Sequence, residues 1–316
     1  MPGSVRAARL HRHGEPLVIE DVELREPSGN EVRVELEFGG VNPVDTYVAA
    51  GRVNPDGPLP RTLGAEASGV IDGRSVLVAG EGLGVVRDGV WARAAIVPEQ
   101  ALTPVPEGVQ LRDAAVMGGA GLTAVNVVRE LARVTAKDRV LVLGAAGGVG
   151  TMIVSLAHAA GATVWGQTGT GRKTAAIIEQ GADRAIVASP DELGEQITQF
   201  EPTVVFDPLG GDFVAAVIAA TAVRGRVVSF GTSAGAEVTF NMQQLYRKMI
   251  SLLGYAGLQL RRDEQRAGLE RALRALADGS IKVRIDSVLA LEDVNEAFHR
   301  LNSRTVQGKL VLDLAR

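Results

Sequence analysis

Between Val140 and Gly150 the chain reads Val-Leu-Val-Leu-Gly-Ala-Ala-Gly-Gly-Val-Gly, apolar residues running straight into a glycine cluster. A helical pattern follows from Val149 to about Ala160. Strand, tight turn and helix in that order let a backbone approach a pyrophosphate, while the helix N-terminus offers unpaired N–H groups and a partial positive charge. The fingerprint takes the form Ala145-x-Gly147-x-x-Gly150, with alanine at the first glycine position. It places the phosphates on the backbone of Ala146, Gly147, Gly148, Val149 and Gly150. A tight strand-to-helix turn without a ligand has the same spacing, so the residues beyond it must decide. About 20 positions past Gly147, where an NAD site carries an acid for the ribose 2′-hydroxyl, stands Gln167. Thr168, Arg172 and Lys173 follow. A 2′-phosphate, with ~2 negative charges, would be repelled by a carboxylate and held by a guanidinium and an ammonium. The same two cations would also suit the solvated first turn of the next helix. The missing acid favours NADPH as the cofactor.

The elements that must position these groups follow from the pattern downstream of Gly121. Strands are predicted at Val140–Leu143, Thr163–Gly166, Ala185–Val187, Thr203–Asp207, Val227–Gly231 and Ser251–Gly254, with helical segments between them. Such alternation makes a doubly wound parallel sheet of the Rossmann kind. Phe230, Gly231 and Thr232 end the fifth strand at the carboxyl edge, where such sheets bind ligands, and are assigned to the nicotinamide and its carboxamide. The first 118 or so residues differ. Glu31–Glu37 alternates strictly, with turns at Pro27–Asn30, Asn54–Pro58 and Asp72–Gly73, and the region reads as an antiparallel β domain. After an amphipathic helix near Asp263–Ala277, the strand pattern Gly308–Asp313 is expected to return to that first domain. The expected architecture is a cofactor domain, 119–282, inserted in a catalytic domain made of 1–118 and 283–316, with the active site in the cleft between them.

Composition narrows the class. The 316 residues exceed the usual size of one domain, and 46% are hydrophobic, enough for two cores. A net charge of −4 with no basic stripe speaks against nucleic acid. The absence of cysteine excludes disulfides, thiolate nucleophiles and sulfur-ligated zinc. The N-terminus shows no apolar secretion signal, and a cytoplasmic protein is expected. Residues 140–171 carry no charge, yet six glycines between Gly144 and Gly166 argue for a buried strand–turn–helix–strand unit rather than a membrane span.

Seven segments in one order carry a family resemblance: Gly40–Tyr47, Leu63–Gly69, Gly121–Ala124, Ala145–Gly150, Phe206–Gly211, Val228–Gly231 and Thr305–Lys309. Over nearly its full length the chain resembles the zinc-less medium-chain dehydrogenase/reductases, the quinone oxidoreductase or ζ-crystallin group. The resemblance implies a GroES-like catalytic domain around the Rossmann domain. It places Thr123 at the nicotinamide half of the cofactor, Lys173 at the 2′-phosphate and Lys309 in the cofactor site. Zinc-containing relatives have Gly-His-Glu where this chain has Gly64-Ala65-Glu66, and His11, His13, His158 and His299 fall at no matching ligand position. No metal is therefore expected. Without a Lewis acid, hydride donation to an electron-poor quinone or α,β-unsaturated carbonyl is the chemistry left open.

Asn42, Asp45 and Tyr47 are the catalytic candidates, Tyr47 as hydrogen-bond or proton donor to the oxyanion of the reduced substrate. Each also has a structural reading: Asn42-Pro43 as a turn, Asp45 as a helix cap, Tyr47 as a packing residue. The role of Glu66 is not legible. The short Val70–Val76 connection and the Gly80–Gly89 segment, which resembles acryloyl-CoA-reductase-like relatives, leave the substrate open. The expected activity is NADPH-dependent quinone reduction. Enone or enoyl-thioester reduction is the alternative, and a binding protein that keeps NADPH without turnover is a third. The apolar segment Met249–Gly254 is an edge suited to pairing in a homodimer.

Overall fold

The structure, a computed structural model, describes residues 3 to 315. Two compact units divide the chain. The first comprises the chain up to Leu122, Arg261–Asp278 and the chain from Val283 onward; the second comprises Thr123–Leu260 with Gly279–Lys282.

The second unit is a parallel sheet of six strands: β1 (Arg139–Val142), β2 (Thr163–Thr168), β3 (Arg184–Val187), β4 (Val204–Asp207), β5 (Arg226–Ser229) and β6 (Ser251–Gly254). Their spatial order is 3-2-1-4-5-6, the doubly wound arrangement. Strands covered on both faces read as continuous apolar runs because neither face meets water. Val140, Leu141 and Val142 of β1 and Val204, Val205 and Phe206 of β4 accordingly have no exposed surface. The helix Gly148–Ala159 after β1 is buried from Gly150 to Ala157, which accounts for the uncharged stretch noted above. Among the described residues no helix is long and apolar enough to cross a membrane.

In the first unit the strand Glu31–Val41 changes partner along its length. Glu31–Glu35 pairs with Ala94–Pro98, Glu35–Gly39 with Ala67–Val70, and Phe38–Val41 with Leu310–Asp313. The sheet is antiparallel apart from the pair Ile285–Ala290 and Lys309–Asp313, which runs parallel. Trp91 is fully buried in its core. The indole fits because the facing residues are glycines: a Cβ at Gly64 would lie 2.4 Å from its ring.

One boundary differs from the sequence expectation. The helix Arg262–Ala277, read as part of the inserted domain, belongs to the first unit, where it packs on Met117–Gly121 and Leu102–Pro104. Its buried stripe of Leu269, Ala272, Leu273 and Ala275 fixes that a helix face is covered, but periodicity carries no information about which unit covers it.

Candidate active site

The glycine turn of the second unit forms as its sequence dictates. Gly144 takes φ +56°, and its carbonyl accepts from the Gly147 amide at 2.9 Å. Gly147 caps the helix, leaving Gly148, Val149 and Gly150 as its first turn. In a first turn the N–H groups have no helical partner. A Cβ at Gly150 would stand 2.5 Å from the Gly144 carbonyl oxygen, so only glycine lets the helix start this close to the turn. The donor set is backbone amides at a helix N-terminus, which fits a pyrophosphate.

At the end of β2 the side chain of Gln167 turns inward. Its Oε1 accepts from the Gly144 amide at 3.1 Å, and its Nε2 donates to the Ala188 carbonyl at 2.7 Å. It is a buried tie between three carboxyl-edge segments. Thr168, also buried, ends the strand, and the turn Gly171–Lys173 follows. Arg172 is exposed there; Lys173 is half-buried. Phe230 and Gly231 are half-buried beyond β5, and Thr232 is exposed. The Phe230 amide donates to the Asp207 carbonyl at 3.0 Å. Burial raises the Asp207 carboxyl above its ordinary value, against the bonds that it accepts from the amides of Gly210 and Leu209. The second unit thus brings the glycine turn, Thr168, Arg172, Lys173 and Phe230–Thr232 to one carboxyl edge. Thr123 belongs to this unit as well, hydrogen-bonded to Tyr255.

Lys309, expected in the cofactor site, lies buried inside the first unit. Its ammonium donates to Val41 O at 2.8 Å, Asn42 Oδ1 at 2.6 Å and Glu66 Oε1 at 3.3 Å. Three donors meet three acceptors. Glu66 Oε1 also accepts from Asn42 Nδ2 at 2.6 Å, and Oε2 from the Gly119 amide at 2.7 Å. Both ends of the Asn42 amide are thereby taken. Asp45 accepts from the amides of Asn42 at 2.8 Å and Ala65 at 3.2 Å, in keeping with its capping alternative. Burial, reinforced by the nearby Glu66 charge, pushes its carboxyl up to about 7. The Asn42 and Ala65 amides and Lys309 oppose that shift. Tyr47, two residues further along the helix Pro43–Ala49, keeps 40% of its surface exposed.

This cluster does not suit a divalent cation. Among the described residues no three His, Cys, Asp or Glu side chains gather, and the carboxylate of Glu66 is already met by an ammonium. The sequence shows Glu66 in the Gly64–Glu66 segment but not its contact with Lys309, 243 residues away in the chain.

Fold and site together define a nicotinamide-dependent oxidoreductase acting on a small molecule. The zinc-binding dehydrogenase family model matches residues 148–278, within which β1 and the cluster around Lys309 do not fall. The chain is 31% identical to quinone oxidoreductase-like protein 2 of Rattus norvegicus, over 98% of this chain and 92% of that protein. It is 30% identical to quinone oxidoreductase 1 of Escherichia coli K12, over 96% and 98% respectively. Among solved structures it is similar to Bacillus subtilis protein yhfP with NAD bound, at TM-score 0.83 and 25% identity over 99% of this chain and 100% of that one. The chain belongs to the quinone oxidoreductase (ζ-crystallin-like) family of medium-chain dehydrogenase/reductases.

Proposed function

We propose that this oxidoreductase uses NADPH to reduce quinones without a metal. The observation that carries the reading is the end of β2: no carboxylate stands there, Gln167 is turned inward and Arg172 is exposed beyond it. Bound NADPH would supply a hydride. The first-turn amides of Gly148–Gly150 would hold its pyrophosphate, and Arg172 with Lys173 its 2′-phosphate. Phe230–Thr232 and Thr123 would orient the nicotinamide half. Lys309 neutralises Glu66 in place of a metal ion, so the acceptor must be electrophilic of itself.

The test is cofactor consumption with 1,4-benzoquinone, a naphthoquinone, an aliphatic enal and a crotonyl thioester, each with NADPH and with NADH. Quinone turnover with NADPH strongly preferred supports the reading. Equal use of NADH, the redox partner of the cofactor held by the Bacillus relative, would overturn the assignment to Arg172 and Lys173. Turnover confined to the enal or thioester would move the enzyme to the enone-reductase reading, with the same fold and cofactor site.

We also propose a homodimer through β6, the sheet's terminal strand, where Leu252 is 44% exposed and neighbouring Met249 54%.

A further inference from the structure

Within the second unit, Tyr255 follows β6 directly, and its amide donates to the Ser229 carbonyl at 2.9 Å. The residue therefore sits beside the end of β5, next to Phe230–Thr232, which follow it. Thr123 and Asn126 lie three residues apart, on one helical face. Both hydrogen-bond to its phenol oxygen, Asn126 Nδ2 at 3.2 Å. A phenol oxygen carries one proton and accepts through its lone pairs. Asn126 Nδ2 occupies a lone pair and leaves the phenol its proton, which the Thr123 hydroxyl, donor and acceptor alike, can accept until a substrate oxygen replaces it. Gly257 keeps that surroundings open. A Cβ built there would have the Tyr255 hydroxyl as its nearest neighbour, at 3.5 Å. Burial raises the phenol above its ordinary value, opposed by the Asn126 and Thr123 bonds, so the hydroxyl is protonated at neutral pH.

We propose that Tyr255 is a catalytic residue: its hydroxyl hydrogen-bonds the carbonyl oxygen of the bound acceptor and gives it a proton as reduction proceeds. The inference rests on the reading above, reduction of a quinone or enone by NADPH. The acceptor receives a hydride, with its electron pair, from the reduced cofactor, and its π electrons move onto oxygen. That oxygen bonds the Tyr255 proton as the phenol O–H bond breaks. The electron pair stays on the phenolate, which Thr123 and Asn126 hold until a proton from water restores it. An enone, less electrophilic than a quinone, depends more on such a donor.

Tyr255→Phe is therefore expected to lower kcat/KM for an aliphatic enal about 100-fold and for benzoquinone less than about 10-fold. NADPH affinity, followed by quenching of Trp165 emission, is expected to stay as in wild type. A readout independent of turnover is the infrared carbonyl stretch of cyclohexanone, a saturated analogue, bound to the NADPH complex. It should lie lower in wild type than in Tyr255→Phe. Gly257→Val keeps the hydroxyl but covers it, and should reproduce both effects without removing a side chain. Unchanged enal turnover and carbonyl frequency in Tyr255→Phe, or weakened NADPH binding alone, would overturn the proposal. If wild type reduces none of the acceptors, the functional reading fails, while the carbonyl frequency still decides whether Tyr255 donates to a ketone.

Discussion

Lys309 and Glu66 are 5% and 1% exposed, so neither charge has water to fall back on. Removing one partner leaves the other unpaired, which costs about 3–5 kcal/mol where a buried pair is broken. Lys309→Met should lose stability of that order in urea denaturation. Adding Glu66→Gln should recover much of it, and NADPH affinity should not change in either. Asp45 gives a pH signature. Its folded value of about 7 lies above the ordinary 3.8, so the folded state holds the proton more tightly than the unfolded chain. Its contribution to stability is complete below the ordinary value and is lost as pH rises through about 7. Melting measured between pH 4 and 8 should show that loss, and Asp45→Asn should flatten it. On the other unit, Arg172→Ala should weaken NADPH binding about tenfold, a change of ~1.4 kcal/mol, and leave NADH binding unaltered.

The glycine turn and its helix act as one element. Because a Cβ at Gly150 would fall 2.5 Å from the Gly144 carbonyl, Gly150→Val must push the helix away from the turn. Overpacking of this kind costs about 1–3 kcal/mol. The same displacement moves the first-turn amides, so a loss of cofactor affinity in titration calorimetry should accompany a lower Tm. This element was legible in sequence, as were all six strands to within two residues. A strand buried on both faces leaves a continuous apolar run, and a phosphate turn leaves glycines in a fixed order. The polar cluster was not legible. Asn42, Asp45 and Glu66 stand in recognisable local motifs, but what they do depends on Lys309, which the strand pairing of Leu310 with Val41 brings alongside them. Thr123 was assigned to the nicotinamide half by resemblance, but its pairing with Asn126 stayed silent until Tyr255 was placed against both.

At the scale of the whole molecule, β6 ends its sheet with unpaired backbone groups flanked by apolar side chains. If two copies pair there, wild type should sediment at twice the chain mass of 33.1 kDa. Leu252→Lys, which sets like charges opposite one another across the seam, should sediment at the single mass.

The long-range closure of the first unit also sets an order of events during synthesis. The strand Lys309–Asp313, which pairs with Phe38–Val41, is made long after it and after the second unit's sheet. Until it emerges, Glu66 and Asn42 wait without their ammonium, and one edge of the strand Phe38–Val41 is unfilled. The six-stranded sheet of the second unit is complete in sequence once Gly254 has appeared. The second unit can therefore acquire its core while the first is still open, and a strand made later still is the one that closes it.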